Sequence, residues 1–325
     1  MIVDTHAHIL PEATLQALAA APARFPSVTL QEVEAGYRLS FCGKPPTRPV
    51  LPRLRHAEPR RVFLAEHGID RQLAGGWLDA FGYELPAEEG AEWSRFLNQG
   101  MWEAAAKFDG VTPLATVPLQ DGKLAAAVLE EAVEAGFPGA MIGTRPKGGH
   151  GRLDDPALDP FWERAAALGV PVMVHPEYGG EDERLYDMGM MNAVGRVADI
   201  SIAVSRLLFT GHPQRFQGLK LIASTGGGAL PYMLGRLARN HVVEQGKVHD
   251  PVEGMQLIWF DSIVFRPEAL RFLTDLVGVE KVMLGSDYPF PIGDPEPRRV
   301  VEASGYSEPE VAAMLGGNAQ ALFGL

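Results

Sequence analysis

The sequence predicts a single-domain (β/α)8 barrel of the TIM type over residues 1–325. Eight short apolar segments alternate along the chain with amphipathic helical segments. The apolar segments are nearly continuous, as is expected of parallel strands that are covered on both faces. Eight such units in 325 residues are typical of a TIM barrel. The alternative is an open doubly wound sheet, which predicts a glycine-rich turn after the first strand, but residues 1–11 contain no glycine.

The predicted strands and helices alternate in a regular order. Strands are predicted to begin at residues 2, 69, 111, 139, 171, 219, 256 and 281. Helices are predicted at residues 12–21, 59–67, 88–108, 121–135, 155–168, 192–209, 229–243 and 267–277, with two more after the last strand. Gly68 and Gly136 directly follow two of these helices, a position at which glycine commonly ends a helix.

Residues 22–55 interrupt this rhythm. Residues 28–34 and 37–42 each alternate between apolar and polar side chains, with Ala35 and Gly36 between them, which predicts a β-hairpin. The stretch 43–53 holds four prolines and has no period, so it is predicted to be a loop. We interpret 22–55 as a small β-hairpin insertion after strand one.

Composition excludes several classes of protein. The chain is 46% hydrophobic and 22% charged, with a net charge of −12, and it has no basic run. We therefore expect neither nucleic acid nor an anionic membrane as a partner. Cys42 is the only cysteine, so no intrachain disulfide can form, which fits a reducing cytoplasm. No apolar run reaches the roughly 18 residues of a transmembrane helix, and we expect a cytoplasmic protein.

Potential metal ligands stand at the carboxyl ends of several predicted strands. His6 and His8 end strand one and, being two residues apart, point to the same side of it. His175 ends strand five, Asp261 ends strand seven and Asp287 ends strand eight. Because the carboxyl ends of barrel strands meet at one mouth, three histidines and Asp287 would form a divalent metal site with room for a bound water.

Each of these residues also has an ordinary structural explanation. Two histidines on one strand can be incidental, His175 can be a hydrogen-bonded core histidine, and Asp287 can cap a helix. Four residues at the ends of strands that converge are harder to explain in this way, so the metal interpretation is favoured.

Longer motifs resemble the amidohydrolase superfamily, in particular its aminocarboxymuconate-semialdehyde decarboxylase-like branch. The similarity covers the whole chain. It is carried by the two histidines of strand one and by five further stretches, at residues 136–144, 174–176, 226–228, 285–291 and 318–323. Residues 22–55 resemble the small β-insertion of that branch. These motifs are specific for the branch, but they are less specific for any one of the reactions that its members catalyse.

The resemblance implies a zinc or manganese ion held by His6, His8, His175 and Asp287. Members of the branch decarboxylate, hydrate or hydrolyse small carboxylated metabolites, and Asp287 would also take part in catalysis. The branch binds the substrate carboxylate with arginines, one of which comes from the neighbouring subunit of a homodimer. Arg236 matches that cross-subunit arginine, and Arg48 aligns loosely with the other.

Thr225 departs from the pattern of the branch, which has an acid/base histidine directly before the three glycines of strand six. Threonine cannot carry a proton near neutral pH and can only donate or accept a hydrogen bond. Asp261 and Glu177 are the nearest candidates to replace the histidine, and we predict that Asp261 reaches the metal-bound water.

Three functions therefore remain open. A non-oxidative decarboxylase of a small carboxylated metabolite is the first. A metal-dependent hydrolase or hydratase of the same fold is the second. The third is a metal-binding barrel that has lost its activity, because Thr225 replaces the acid/base histidine.

Overall fold

The computed structural model describes residues 1–177 and 182–325, and within these ranges the chain forms ten strands and fourteen α-helices. The strands are β1 (Val3–Ile9), β2 (Val28–Val33), β3 (Gly36–Phe41), β4 (Arg71–Gly76), β5 (Val111–Pro113), β6 (Ala140–Gly143), β7 (Pro171–His175), β8 (Lys220–Ala223), β9 (Trp259–Asp261) and β10 (Val282–Met283). The helices are α1 (Glu12–Ala20), α2 (Pro52–Arg55), α3 (Ala57–His67), α4 (Ala87–Ala105), α5 (Gly122–Glu134), α6 (Asp159–Leu168), α7 (Arg196–Phe209), α8 (His212–Arg215), α9 (Leu230–Val243), α10 (Pro251–Met255), α11 (Pro267–Val277), α12 (Pro297–Glu302), α13 (Glu308–Ala312) and α14 (Asn318–Phe323).

Strands β1 and β4–β10 close into a parallel barrel. Hydrogen bonds join them in the orders β1-β4-β5 and β6-β7-β8-β9-β10. Two further parallel bridges, Ala115 with Ala140 and Ala7 with Tyr288, link these two sets into a ring. Helices lie between successive strands, so the predicted (β/α)8 barrel is confirmed.

Local signals explain where several helices begin and end. Asp121 caps α5, because its side chain accepts hydrogen bonds from the backbone N–H groups of Lys123 and Leu124. Gly68 ends α3 with a left-handed φ of 57°. The helix predicted at 192–209 instead begins with a π-helical turn, Met191–Gly195, which runs directly into α7. Such turns are often found at functional sites.

The hairpin β2–β3 is antiparallel, with Val28 opposite Phe41 and Val33 opposite Gly36. It packs on α4 through a small apolar cluster that is separate from the main core. The loop after the hairpin is fixed to β3, because the backbone N–H of Thr47 bonds to Leu39 O and that of Val50 to Tyr37 O. This attachment sets the position of residues 48–50 beside the barrel mouth.

In the described part of the chain, every helix is too short or too polar to span a lipid bilayer.

Candidate metal centre and active site

Three histidines and one aspartate converge at the carboxyl ends of the barrel strands. His6 and His8 lie on β1, His175 is the last residue of β7, and Asp287 follows β10. One potential ligand atom from each of the four residues can be chosen so that all lie within 4.8 Å of one another. Asp287 Oδ1 lies 3.0 Å from His8 Nε2, 3.6 Å from His6 Nε2 and 3.8 Å from His175 Nε2. The structure thus brings together the four residues predicted as ligands.

The other ring nitrogen of each histidine faces an acceptor. His6 Nδ1 lies 2.6 Å from Asp261 Oδ2, His8 Nδ1 3.1 Å from Gly76 O, and His175 Nδ1 2.8 Å from Pro176 O. Because these acceptors favour a proton on Nδ1, each Nε2 is available to present its lone pair to an ion held at the centre. This is the usual arrangement around metal-binding histidines. His6 Nε2 is moreover buried without a hydrogen-bond partner in the described chain, so these residues fit a divalent metal ion.

The electrostatics also fit metal binding. Burial lowers the pKa of His8 and holds the pKa of His175 well below its usual value, so both imidazoles are neutral at neutral pH. Burial also acts to lower the pKa of His6, but the hydrogen bond with Asp261 and the negative charges of Asp261, Asp287 and Asp4 together outweigh this and leave the pKa raised. Burial acts to raise the pKa of Asp287, but the three imidazoles that face it, those of His175, His8 and His6, together more than reverse this. Asp287 is therefore an ionised carboxylate facing imidazole nitrogens.

The hydrogen bonds of Asp261 support an orienting role for it beside the catalytic role predicted from the sequence. Its Oδ2 accepts hydrogen bonds from His6 Nδ1 at 2.6 Å and from the Thr225 N–H at 2.8 Å. Its Oδ1 accepts from the N–H groups of Gly226 at 2.8 Å and Ile263 at 3.2 Å. The residue is 0% exposed. Both carboxylate oxygens of Asp261 are therefore occupied by hydrogen bonds within the protein, one of which holds His6 Nδ1.

Gly285 allows this close packing behind the ligands. A Cβ at this position would lie 3.0 Å from Asp261 Cβ and 3.2 Å from His6 Cβ. A larger residue would push directly on His6 and on the carboxylate that orients it.

Thr225 lies in a tight turn just after β8, at the strand end where it was predicted. Its φ of 55° is in the left-handed region, which β-branched residues rarely adopt. Such strain costs on the order of 1–3 kcal/mol and persists where the surroundings impose it. Here the surroundings are the Asp261 carboxylate, which binds the N–H groups of both Thr225 and Gly226. One carboxylate thus fixes a metal-centre histidine and the strained turn together.

A cavity of about 760 Å³ opens beside Asp287. Its walls are mostly apolar and are formed by Ala35, Pro49, Val50, Leu51, Pro52, Trp77, Phe290, Pro291 and Ile292. Arg48, Asn192 and Arg196 add polar groups. The volume suits a small organic ligand, and a largely apolar cavity with few polar groups is typical of such sites.

The structure places Arg48 on the wall of this cavity. Its guanidinium makes hydrogen bonds of 3.1–3.3 Å to both carboxylate oxygens of Asp79 and lies 5.9 Å from the centre of the Trp77 ring. Arg196 and Asn192 were not predicted. Asn192 belongs to the π-helical turn and Arg196 is the first residue of α7, and the π-helical turn has no signal in the local sequence pattern.

Arg236 is exposed on the outer helix α9 and does not line the cavity of its own chain. Glu177, the other candidate proton carrier, lines a different cavity of about 240 Å³ together with Tyr83 and Glu84. Burial raises the pKa of Glu177 to about 8. Its Oε1 accepts a hydrogen bond of 3.0 Å from the backbone N–H of Arg145, which follows β6.

The fold and the site together define a barrel enzyme with a metal centre at its mouth. The chain belongs to the amidohydrolase family: the family model described as "Amidohydrolase" matches residues 3–325. The resemblance found in the sequence is therefore confirmed.

Relatives within this family include decarboxylases. The chain is 34% identical over 269 residues to 2-amino-3-carboxymuconate-6-semialdehyde decarboxylase of Dictyostelium discoideum. The matched stretch covers 79% of this chain and 73% of that protein. It is 28% identical over 296 residues to gamma-resorcylate decarboxylase of Polaromonas sp. strain JS666, covering 84% and 89% of the two chains. A solved 5-carboxyvanillate decarboxylase from Novosphingobium aromaticivorans shares the fold, with a TM-score of 0.81, 19% identity and coverage of 100% and 96%. That structure contains manganese and 4-hydroxy-3-methoxy-5-nitrobenzoic acid.

Proposed function

We propose that this protein is a metal-dependent, non-oxidative decarboxylase of a small carboxylated substrate. The proposal rests on one observation: Asp287 belongs to the ligand cluster of His6, His8, His175 and Asp287 and also lines an apolar cavity that contains Arg48. Relatives that are named decarboxylases of such compounds support it.

The resident cofactor in this proposal is one divalent ion, most readily zinc, with manganese as the alternative. Three imidazole nitrogens and one carboxylate are a common donor set for zinc, while manganese is present in the related solved structure. A bound ion would supply polarisation of a substrate oxygen or activation of a water molecule.

The chain's own side chains account for binding and for proton handling. Arg48, oriented by Asp79, would bind a substrate carboxylate through charge-assisted hydrogen bonds. Trp77 and Phe290 would cover the flat faces of an unsaturated ring or chain and keep water away. Decarboxylation replaces a carboxylate on carbon by a proton. Asp287 belongs both to the metal centre and to the cavity wall. We assign the proton transfer to it: the ionised Asp287 carboxylate would take up one proton from solvent and deliver it to that carbon as CO2 leaves, which returns Asp287 to its ionised form.

The experiment is to measure CO2 release by the zinc- or manganese-loaded protein from a panel of carboxylated phenols and unsaturated semialdehydes. Metal-free protein is the control. We expect a matching decarboxylated product by mass spectrometry. Products that have gained water without loss of CO2 would instead identify a hydrolase or hydratase of the same fold.

Thr225 motivates the second candidate, a metal-binding barrel without activity. If Asp287 carries the proton, Thr225→His should be neutral or should reduce turnover, because the reaction would then need no imidazole at this position. The variant should fold, since histidine tolerates a positive φ better than a β-branched residue. A wild type that is inactive on the whole panel, together with a gain of activity in Thr225→His, would support the inactive barrel.

Assembly as a homodimer is part of the proposal, with Arg236 completing the partner's cavity. Tyr232 and Arg236 are four residues apart on α9 and share one face. Tyr232 is 86% exposed, and Ile202 on the adjacent helix α7 is 61% exposed. Large apolar side chains so exposed beside an arginine suit an interface between subunits.

Light scattering should therefore give the mass of two chains. Arg236→Ala and His175→Ala should each be inactive alone, but equal mixing after dissociation should restore about a quarter of the wild-type activity, because half of the dimers are mixed and each of these has one intact site. Arg164→Ala, on the surface of α6, serves as the control substitution. A monomer mass at working concentration, or no recovery on mixing, would contradict the cross-subunit role.

A further inference from the structure

We propose that Asp4, Gln72 and Arg60 form one buried unit that positions three of the four metal ligands. The inference rests on the metal centre of the proposed function and concerns residues that are not ligands themselves. The three side chains are 0–1% exposed and come from β1, β4 and α3. Buried polar groups are stable only when they are hydrogen-bonded, so their partners show what the unit holds in place.

Asp4 ties His6 to the turn that carries Asp287. Its Oδ1 accepts hydrogen bonds from the backbone N–H of His6 at 3.1 Å and from that of Ser286 at 3.0 Å. Its Oδ2 accepts from the Ser286 hydroxyl at 2.5 Å and from the side-chain amide of Gln72 at 2.6 Å. Four donors fit an ionised carboxylate, which can only accept. One carboxylate therefore holds the backbone of one ligand and of the residue before another.

The turn that carries Asp287 depends on such anchoring. Asp287 has a φ of 56°, in the left-handed region that few residues other than glycine adopt. Its N–H donates to His6 O at 2.8 Å, and the Ser286 hydroxyl accepts from the Tyr288 N–H at 3.1 Å. Since the same hydroxyl donates to Asp4, hydrogen bonds on both sides of Asp287 lead back to the Asp4 carboxylate.

Arg60 holds the other ligand of β1. Its guanidinium donates one hydrogen bond to His8 O through Nη2 and another to Gln72 Oε1 through Nη1. It also lies over the Tyr288 ring, 4.7 Å from the ring centre. A buried cation is costly unless its surroundings compensate it, and the Asp4 carboxylate provides the opposite charge on the far side of Gln72.

Gln72 is the link between the two charged groups. In the described chain, its side-chain amide donates to Asp4, accepts from Arg60 and bonds to no metal ligand. Loss of any one member would leave buried polar groups of the others unsatisfied, and such networks contribute as a whole more than as separate pairs. We therefore expect the three residues to act on the metal centre together.

Zinc affinity, measured by chelator competition, and the visible spectrum of the cobalt(II)-loaded protein test the inference without requiring turnover. Gln72→Met removes both hydrogen bonds of the amide. It should weaken zinc binding by about 10-fold, as expected for a residue that orients ligands, and should alter the cobalt bands, which report coordination geometry. Arg60→Met should have an effect of similar size. Arg60→Lys keeps the charge and a donor for His8 O, so it should lie closer to wild type.

The double variant Gln72→Met/Arg60→Met shows whether the residues act together. If they do, it should lose about as much affinity as the more affected single variant, because each substitution already breaks the unit. Independent contributions would instead multiply to about 100-fold, which would overturn the proposal of one unit. If Arg60→Met does not fold, Gln72→Met combined with Arg60→Lys gives the same comparison.

Asn98→Leu is the matched control. Asn98 is 6% exposed, and its amide also makes two hydrogen bonds, both with the backbone of Thr116, but it does not belong to the ligand cluster. The control should have a lower thermal midpoint and wild-type zinc affinity. If Gln72→Met gives the same result, with wild-type cobalt bands, the unit only supports the fold and the inference is overturned.

The same measurements separate this inference from the proposed function. Metal binding in wild type without CO2 release from any substrate would count against the proposed function alone, because the comparison of affinities would still stand. A wild type that binds neither zinc nor cobalt would overturn both.

Discussion

Replacement of His175 by alanine is expected to remove most of the metal from the protein. Wild type purified without chelator should contain close to one equivalent of divalent metal, and His175→Ala should retain only a small fraction of it. The reason is geometric: His175 supplies one of three Nε2 atoms around Asp287 Oδ1, and its other nitrogen is held by Pro176 O. Apart from His6, His8 and His175, no histidine in the described ranges 1–177 and 182–325 belongs to the ligand cluster and could replace the lost ligand.

Elemental analysis and competition with a chelator measure the effect. His150→Ala is a suitable control, because His150 is exposed and lies outside the ligand cluster. The thermal midpoint should be recorded for both variants in excess chelator, where the metal no longer contributes to stability. If His175→Ala and wild type hold the same amount of metal with the same affinity, the centre has been assigned to the wrong residues.

The sequence predicted the metal centre because its signal is local. His6 and His8 follow a β-branched strand start with a spacing of two, and His175 ends a continuous apolar run. Once a barrel is inferred, the ends of its strands meet by construction, so no further three-dimensional information is needed to bring these side chains together. The same logic located Asp261 at the mouth.

The orientation of Asp261 could not be predicted in this way. Strand order places its Cα near the mouth, but the direction of its carboxylate depends on four donors from three segments: His6, the turn of Thr225 and Gly226, and the backbone of Ile263. Arg196 was missed for a related reason. Its side chain reaches the cavity through a π-helical turn and a contact with Pro176 O, and neither has a periodic signature in the sequence.

An orienting role for Asp261 predicts the second large effect. Asp261→Asn should weaken metal binding by about 10- to 100-fold, the usual result of removing a carboxylate that orients a metal-binding histidine. The carboxylate accepts hydrogen bonds on both oxygens, whereas an asparagine amide has one acceptor and would turn its NH2 group toward other donors. Each donor left buried and unsatisfied costs about 1–3 kcal/mol, so the free energy of unfolding should fall as well.

Asp154→Asn separates these two effects. Asp154 is also a buried carboxylate that accepts two hydrogen bonds, both from Arg206 at 2.6 Å, and it is not part of the metal cluster. The Asp154→Asn variant should therefore have a lower free energy of unfolding than wild type but the same metal affinity. Chelator competition and chemical denaturation, each carried out on both variants, provide the comparison.

Turnover at saturating metal then distinguishes the two roles of Asp261. If Asp261 orients His6, excess metal should restore much of the activity of Asp261→Asn, because the loss lies mainly in occupancy of the centre. If Asp261 were instead the proton carrier predicted from strand order, metal affinity would be unchanged. Turnover would then stay about 10²- to 10⁴-fold low at any metal concentration. The hydrogen bonds to His6 and to the Thr225 turn lead us to expect the first result, since they leave both carboxylate oxygens occupied.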